Sequence, residues 1–176
     1  MSTKTRGIDF SKLSLKDALD LAILVEEEAE ERYVELAHQM EIHRTEEAAA
    51  FFRFMAINEK KHGSELSERR KKLFGDAPRE VRRTMIFDIE APDYDEARAQ
   101  MSPHEALTVA MSSEKKAYEF FVAALPHLSD PEVRSLFEEL RQEEIHHQEL
   151  VAKELAKVPA TKDALGDAFE DEPLAL

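Results

Sequence analysis

Residues 56–66 read AINEKKHGSEL, and residues 140–150 read LRQEEIHHQEL. Both segments fit the pattern Glu-x-x-His-x-x-Glu-Leu, whose first glutamate is Glu59 in one and Glu143 in the other. Residues i and i+3 share one face of an α-helix, so each Glu-x-x-His pair can present an oxygen and an imidazole to the same point. The two segments therefore predict two helices that carry metal-binding side chains.

A lone glutamate precedes each pair on an earlier predicted helix. About one Glu-x-x-His spacing is expected by chance at this composition, and the chain has four, so the order of the motifs is the stronger signal. The order is Glu26, then Glu59 with His62, then Glu114, then Glu143 with His146. The two halves also resemble each other around the lone glutamates, which indicates an internal repeat: Glu26, Ala29 and Tyr33 correspond to Glu114, Ala117 and Phe121.

The remaining composition favours an all-α fold. Only 4 Gly and 7 Pro occur in 176 residues, and the rest is dominated by good helix formers. Capping residues and prolines predict four long helices, which run from Ser14 to about His43, from Thr45 to near Gly75, from Ser102-Pro103 to before Pro126, and from Asp130-Pro131 to before Pro159. The prediction is a four-helix bundle made of two antiparallel helix pairs joined by one long crossover.

The segments outside these helices divide the chain into three parts. Residues 1–13 form an N-terminal extension, residues 14–158 the bundle, and residues 159–176 an acidic flexible tail. Within the crossover, residues 84–89 are expected to be extended and residues 92–100 to form a short helix.

Composition also excludes several function classes. The chain has 38 acidic and 24 basic residues, a formal charge of -14, which argues against a nucleic-acid or membrane partner. It has no cysteine, so thiol catalysis, thiolate zinc sites and iron–sulfur clusters are excluded. No apolar run reaches the length of a membrane span or a signal peptide, so we expect a cytoplasmic protein.

Each of the four helical stripes of apolar residues contains acid. Four carboxylates converging inside a bundle need a cation, because burying ionised groups costs several kcal/mol unless they are paired or bind a metal. Two divalent metals would neutralise four carboxylates, and oxygen and imidazole ligands without sulfur favour iron or manganese. The motif Glu35-x-x-His38 is interpreted as accidental, because its helical neighbours place it on a solvated face.

Three local alternatives remain. Glu144 with His147 is a second reading of the fourth helix, with Phe137, Leu140 and Val151 as apolar neighbours, although the repeat alignment favours Glu143 with His146. Glu30, one turn from Glu26, could be an extra ligand. Tyr33 is either a core aromatic residue or a catalytic residue that forms a hydrogen bond with a ligand glutamate.

These motifs resemble the ferritin-like di-iron superfamily, specifically its rubrerythrin-type branch, over about residues 14–157. The resemblance implies a ferritin-like bundle with six metal ligands: Glu26, Glu59, His62, Glu114, Glu143 and His146. The chain departs from the typical family pattern in two ways. It lacks the Cys-rich rubredoxin domain, and it has Ala117 where the third helix of the family carries a second glutamate.

The first functional hypothesis is a di-iron oxidoreductase of the ferroxidase or peroxidase type, which oxidises Fe(II) with dioxygen or hydrogen peroxide. As a peroxidase it would need an external electron donor. The alternative is a non-catalytic helical or metal-binding module whose acidic tail docks on a partner or shell. Either protein is expected to form a homodimer or a higher homo-oligomer, because Ile42, Ile86 and Phe87 lie outside the central stripe.

Overall fold

The computed structural model of the chain describes residues 4–5, 8–86 and 101–158. Within these ranges the chain forms five α-helices: α1 (Leu15–Ile42), α2 (Glu46–Phe74), α3 (Arg83–Ile86), α4 (Pro103–Ala124) and α5 (Pro131–Leu155). Two short 3-10 helices (Phe10–Lys12 and Leu125–His127) and an antiparallel pair of two-residue strands, β1 (Lys4–Thr5) and β2 (Ile8–Asp9), complete it. The predicted all-α four-helix bundle is confirmed, with α1, α2, α4 and α5 as its long helices.

The helices begin where their capping residues predict. The Ser14 side chain accepts a hydrogen bond from a backbone N–H at the start of α1, and Ser102 forms a complete capping box with Glu105 at the start of α4. Asp130 caps α5 by accepting two backbone N–H groups. Thr45 makes no side-chain cap to α2 and instead donates its hydroxyl to the end of α1.

The long helices form two antiparallel pairs, α1 with α2 and α4 with α5, and α1 also packs against α5. A crossover of residues 75–102 joins the pairs. Residues 84–86 were expected to be extended but belong to α3, so that part of the prediction is wrong. Residues 87–100, which include the second predicted crossover helix, and the tail from residue 159 lie outside the described residues.

Ion pairs fasten the start of the crossover to α1. Asp20 is fully buried, and Arg70 donates to both of its carboxylate oxygens at 2.7 and 3.3 Å. The same guanidinium donates to the carbonyl oxygens of Gly75 and Ala77, just where α2 ends at a glycine with φ of 58°. Farther along, Arg83 pairs with two glutamates of α1. The first part of the crossover, residues 75–86, is therefore held against α1.

The core is divided into two apolar clusters, one toward each end of the bundle. The lower cluster includes Ile8 and Phe10 from the predicted N-terminal extension, together with Leu19, Ile23, Phe121, Phe137 and Leu140. The upper cluster includes Tyr33, Met40, Phe52, Met55, Leu107 and Val151. Along every long helix, the residues between the two clusters include buried acid. No helix within the described ranges combines the length and apolar character needed to cross a bilayer.

Candidate metal centre

Five buried ionisable side chains occupy the layer between the two apolar clusters. Each of the four long helices contributes at least one, and none is more than 4% exposed: Glu26, Glu59, Glu114, Glu144 and His147. The apolar clusters above and below leave these groups little access to water. Their charges must therefore be stabilised by neighbouring protein groups or by a bound cation, because water cannot solvate them.

One half of the layer, the inner half, is made of Glu114, Glu144 and His147. Their ligand atoms lie within 4.8 Å of one another, and all three residues are buried. His147 Nδ1 lies 3.3 Å from Glu114 Oε2 and 3.3 Å from Glu59 Oε1. The hydroxyl of buried Tyr33 donates a hydrogen bond to the other oxygen of Glu114. The inner half thus offers two carboxylates and one imidazole at one point.

The other half, the outer half, is made of Glu26, His62 and Glu143, again with ligand atoms within 4.8 Å of one another. His62 Nδ1 lies 3.9 Å from Glu26 Oε2. Helices α1 and α2 pack closely at this level, since a Cβ atom at Gly63 would lie 3.4 Å from the Cβ of Glu26. The outer half therefore matches the inner half in donor types.

The two halves adjoin each other. The rings of His62 and His147 stack with centroids 5.4 Å apart and an interplanar angle of 14°. Glu59 forms a further ligand group with both histidines, again within 4.8 Å. Glu59 is thus positioned to serve either half or to bridge them.

Burial disturbs the proton equilibria of the layer. It raises the pKa of Glu26 to about 8, and negative charge on Glu143 and Glu114 adds to this rise. Burial likewise raises the pKa of Glu143 and lowers that of the His62 imidazole, with the neighbouring His147 also disfavouring a charged His62. Burial alone would raise the pKa of Glu114, but the hydrogen bond and charge of His147, together with hydrogen bonds from Glu144 and Tyr33, hold that pKa below its usual value.

The donor set fits divalent iron or manganese. Carboxylate oxygens and imidazole nitrogens without sulfur suit these metals. The buried Nδ1 of His62 has no hydrogen-bond partner within the described part of the chain, as expected of a nitrogen that donates its lone pair to a metal. A pair of cations would also offset the negative charge of Glu143 and Glu114, which adds to the effect of burial on the pKa of Glu26.

The structure corrects the predicted register of α5. His146 is exposed and does not face the centre, whereas His147 is buried in it, so the inward orientation predicted for His146 is wrong. The α5 side chains that point inward follow the spacing 3, 4, 3, 4: Phe137, Leu140, Glu144, His147 and Val151. The same spacing on α2 buries Phe52, Met55, Glu59 and Leu66 and places His62 at the centre. In the structure, Glu59 and His62 of α2 therefore correspond to Glu144 and His147 of α5, one residue later than in the sequence repeat.

Glu143 lies near the centre although it is not on the inward face of α5. It is half-buried and lies beside the inward face of α5, from which it contributes to the outer half with Glu26 and His62. Sequence reasoning therefore chose a glutamate that reaches the cluster, paired with a histidine that does not. The heptad-like run of apolar residues on α5 was the signal for the histidine that faces inward.

Other predicted site residues have clear positions. Tyr33 is a buried core aromatic residue, and its hydroxyl also donates a hydrogen bond to Glu114; its catalytic role stays a prediction. Glu30 is half-buried, and its carboxylate pairs with Lys60 at 3.5 Å. Glu35 and His38 are both exposed, as the accidental reading of their motif requires. Sequence reasoning did not single out Asp20 or Arg70, whose buried ion pair has no recognisable motif.

Comparison with known proteins agrees with this architecture. The family model for rubrerythrin matches residues 17–155, which span all four long helices. The crystal structure of an uncharacterised conserved protein from Magnetospirillum magnetotacticum MS-1 superimposes with a TM-score of 0.70 at 33% sequence identity, covering 85% of this chain and 99% of that one. No curated protein matches the sequence. With four helices carrying acid to one buried layer and a family match across them, the chain belongs to the rubrerythrin family of ferritin-like di-iron proteins.

Proposed function

We propose that the protein binds two iron ions in this layer and oxidises Fe(II) with dioxygen or hydrogen peroxide. The observation that carries the proposal is the pair of adjoining groups, each with two carboxylates and one imidazole, beside a glutamate that can reach both. Two adjoining groups of carboxylate and imidazole donors are the arrangement that two-metal chemistry requires. Bound iron would supply electron transfer to the oxidant.

The protein residues have distinct tasks in this proposal. Glu114, Glu144 and His147 hold the inner iron, Glu26 and His62 hold the outer iron, and Glu59 reaches both. The Tyr33 hydroxyl fixes the orientation of Glu114 by its hydrogen bond. The apolar clusters above and below the layer keep bulk water away from its two ends.

Sustained turnover with peroxide requires an electron donor outside this chain. The sequence contains no cysteine and so cannot carry an iron–sulfur electron relay of its own. Manganese shares the ligand preferences of iron, and metal analysis of protein purified without chelator distinguishes the two.

The proposal includes self-association. Five large apolar side chains on the long helices α1 and α2 are 47% to 66% exposed: Val34, Ile42, Phe54, Ile57 and Leu73. An apolar surface of this kind is typical of an interface between subunits. Sedimentation velocity is expected to show a dimer or larger oligomer, and a monomer at all concentrations would contradict this part of the proposal.

Anaerobic Fe(II) titration followed by addition of dioxygen or peroxide tests the function. We expect about two irons per chain from the ligand count and oxidation much faster than in buffer alone. Glu59→Gln keeps the shape of the side chain but removes its charge, and should lose at least one iron. Glu65→Gln, on the exposed face of the same helix, is the matched control and should behave as the wild type.

Absence of bound metal together with no acceleration of Fe(II) oxidation would overturn the proposal. The helical assembly module would then be the better account of the bundle. Equal losses in the Glu59 and Glu65 variants would also count against a specific centre, because they would show that only the overall charge matters.

A further inference from the structure

The two halves of the centre differ in their access to solvent. In the inner half, Glu114, Glu144 and His147 are all buried. In the outer half only Glu26 is buried, whereas the His62 side chain is 19% exposed and Glu143 is half-buried. The side of the layer that faces solvent is therefore formed by α2, which carries His62, and α5, which carries Glu143.

We propose that metal reaches the centre between α2 and α5, and that Glu143 is the carboxylate that captures it and completes the outer position. This inference rests on the proposed function and extends it. It assigns a loading route, and it gives a separate role to a residue that lies off the inward face of α5.

The count of carboxylates at each position supports the assignment. Glu59 can be shared between the two positions. Beside it, the inner group contains two carboxylates and one imidazole, whereas the outer group without Glu143 would contain one carboxylate, Glu26, and one imidazole, His62. Helix α4 does not supply a second carboxylate there, because Ala117, one turn beyond Glu114, is fully buried and apolar. Glu143 gives the outer position the same count of two carboxylates and one imidazole.

The position of Glu143 favours a first contact with an incoming cation. Its side chain is half-buried, whereas Glu26, the other carboxylate of the outer group, is only 4% exposed. A carboxylate with access to solvent attracts cations at short range. A metal that enters from this side therefore meets Glu143 before Glu26.

Cobalt(II) binding to the metal-free protein tests the proposal without any redox reaction. Titration and stopped-flow absorption report the affinity and the binding rate of each equivalent. We expect two equivalents in the wild type. In Glu143→Gln, the more weakly held equivalent should bind about tenfold less tightly or worse and more slowly, while the first equivalent remains. Glu149→Gln removes one charge from an exposed site on the same helix and should match the wild type.

Three results would overturn the assignment. Glu143→Gln could bind both equivalents with wild-type affinity and rate, it could lose both equally, or Glu149→Gln could show the same defect. Each would leave the proposed two-metal function intact if the wild type still binds two equivalents. A wild-type protein that binds no cobalt would instead refute the proposed function itself, and the loading route with it.

Discussion

Replacing each of the two adjacent histidines of α5 by alanine should have opposite consequences. His147→Ala removes a buried imidazole that lies 3.3 Å from both Glu59 and Glu114. His146→Ala removes an exposed imidazole about 100° farther round the helix. The two substitutions are chemically identical and lie one residue apart, so each is the control for the other.

The magnitude follows from the number of donors. Removing an outer-shell partner of a metal ligand typically lowers affinity by about 10- to 100-fold. His147 is one of only three groups in the inner half, so its loss should weaken the inner position by about 100-fold or more, equivalent to about 2.7 kcal/mol. Surface substitutions usually change free energies by less than about 0.5 kcal/mol, so His146→Ala should alter affinity by no more than about twofold.

Metal content and the initial rate of Fe(II) oxidation should be measured for both variants, because a lost ligand can leave a metal bound but displaced. Circular dichroism of each metal-free variant checks that the helices persist. If His146→Ala abolished metal binding while His147→Ala retained it, the orientation of α5 described above would be refuted, and its inward face would have to be redrawn by one residue.

Three further substitutions or conditions test the surroundings of the centre. Tyr33→Phe should lower the unfolding free energy of the metal-free protein by about 1.5–3 kcal/mol, because the hydroxyl donates to the buried carboxylate of Glu114; an unchanged urea midpoint would contradict this. Arg70→Met should lower the unfolding free energy by about 1.5–3 kcal/mol, because buried Asp20 loses two charge-assisted hydrogen bonds but keeps Lys16 and Arg79 nearby; a thermal midpoint within a degree of wild type would contradict this. Metal-free protein should lose stability as the pH rises from about 5 to 8. The reason is that the pKa of Glu26 is about 8 in the folded protein and near 4.5 when exposed, so unfolding in this range releases the proton of Glu26. Glu26→Gln should flatten the pH dependence of the unfolding free energy, and an unaltered slope would contradict the raised pKa of Glu26.

The helices of this fold could be predicted from sequence because their ends are determined by local chemistry. Ser14, Ser102 and Asp130 satisfy backbone N–H groups within three residues of themselves, so no knowledge of the rest of the chain is needed. The crossover differs, since α3 is tied to α1 by the ion pairs of Arg83 with glutamates more than 50 positions away. Such contacts have no local signal.

The types of residue that form the candidate centre could be predicted from the sequence, but not which of two overlapping pairs on α5 faces inward. The Glu-x-x-His spacing identifies a pair on α5, yet Glu143 with His146 and Glu144 with His147 satisfy it equally. The choice depends on which face of α5 packs against its neighbours, and the buried residues Phe137, Leu140 and Val151 settle that. The repeat alignment misled because the inward faces of α2 and α5 are offset by one residue from the best sequence match. The role of Glu143 beside that face could be seen only from the packed helices.

The central claim is that two metal positions lie side by side in the buried layer. Anomalous diffraction at the iron edge from crystals of the iron-loaded protein tests it most directly. We expect two peaks between the apolar clusters, one beside His62 with Glu26 and one beside His147 with Glu114, with Glu59 near both. A single peak, peaks on the outer surface beside His146, or no peak in the layer would contradict the claim.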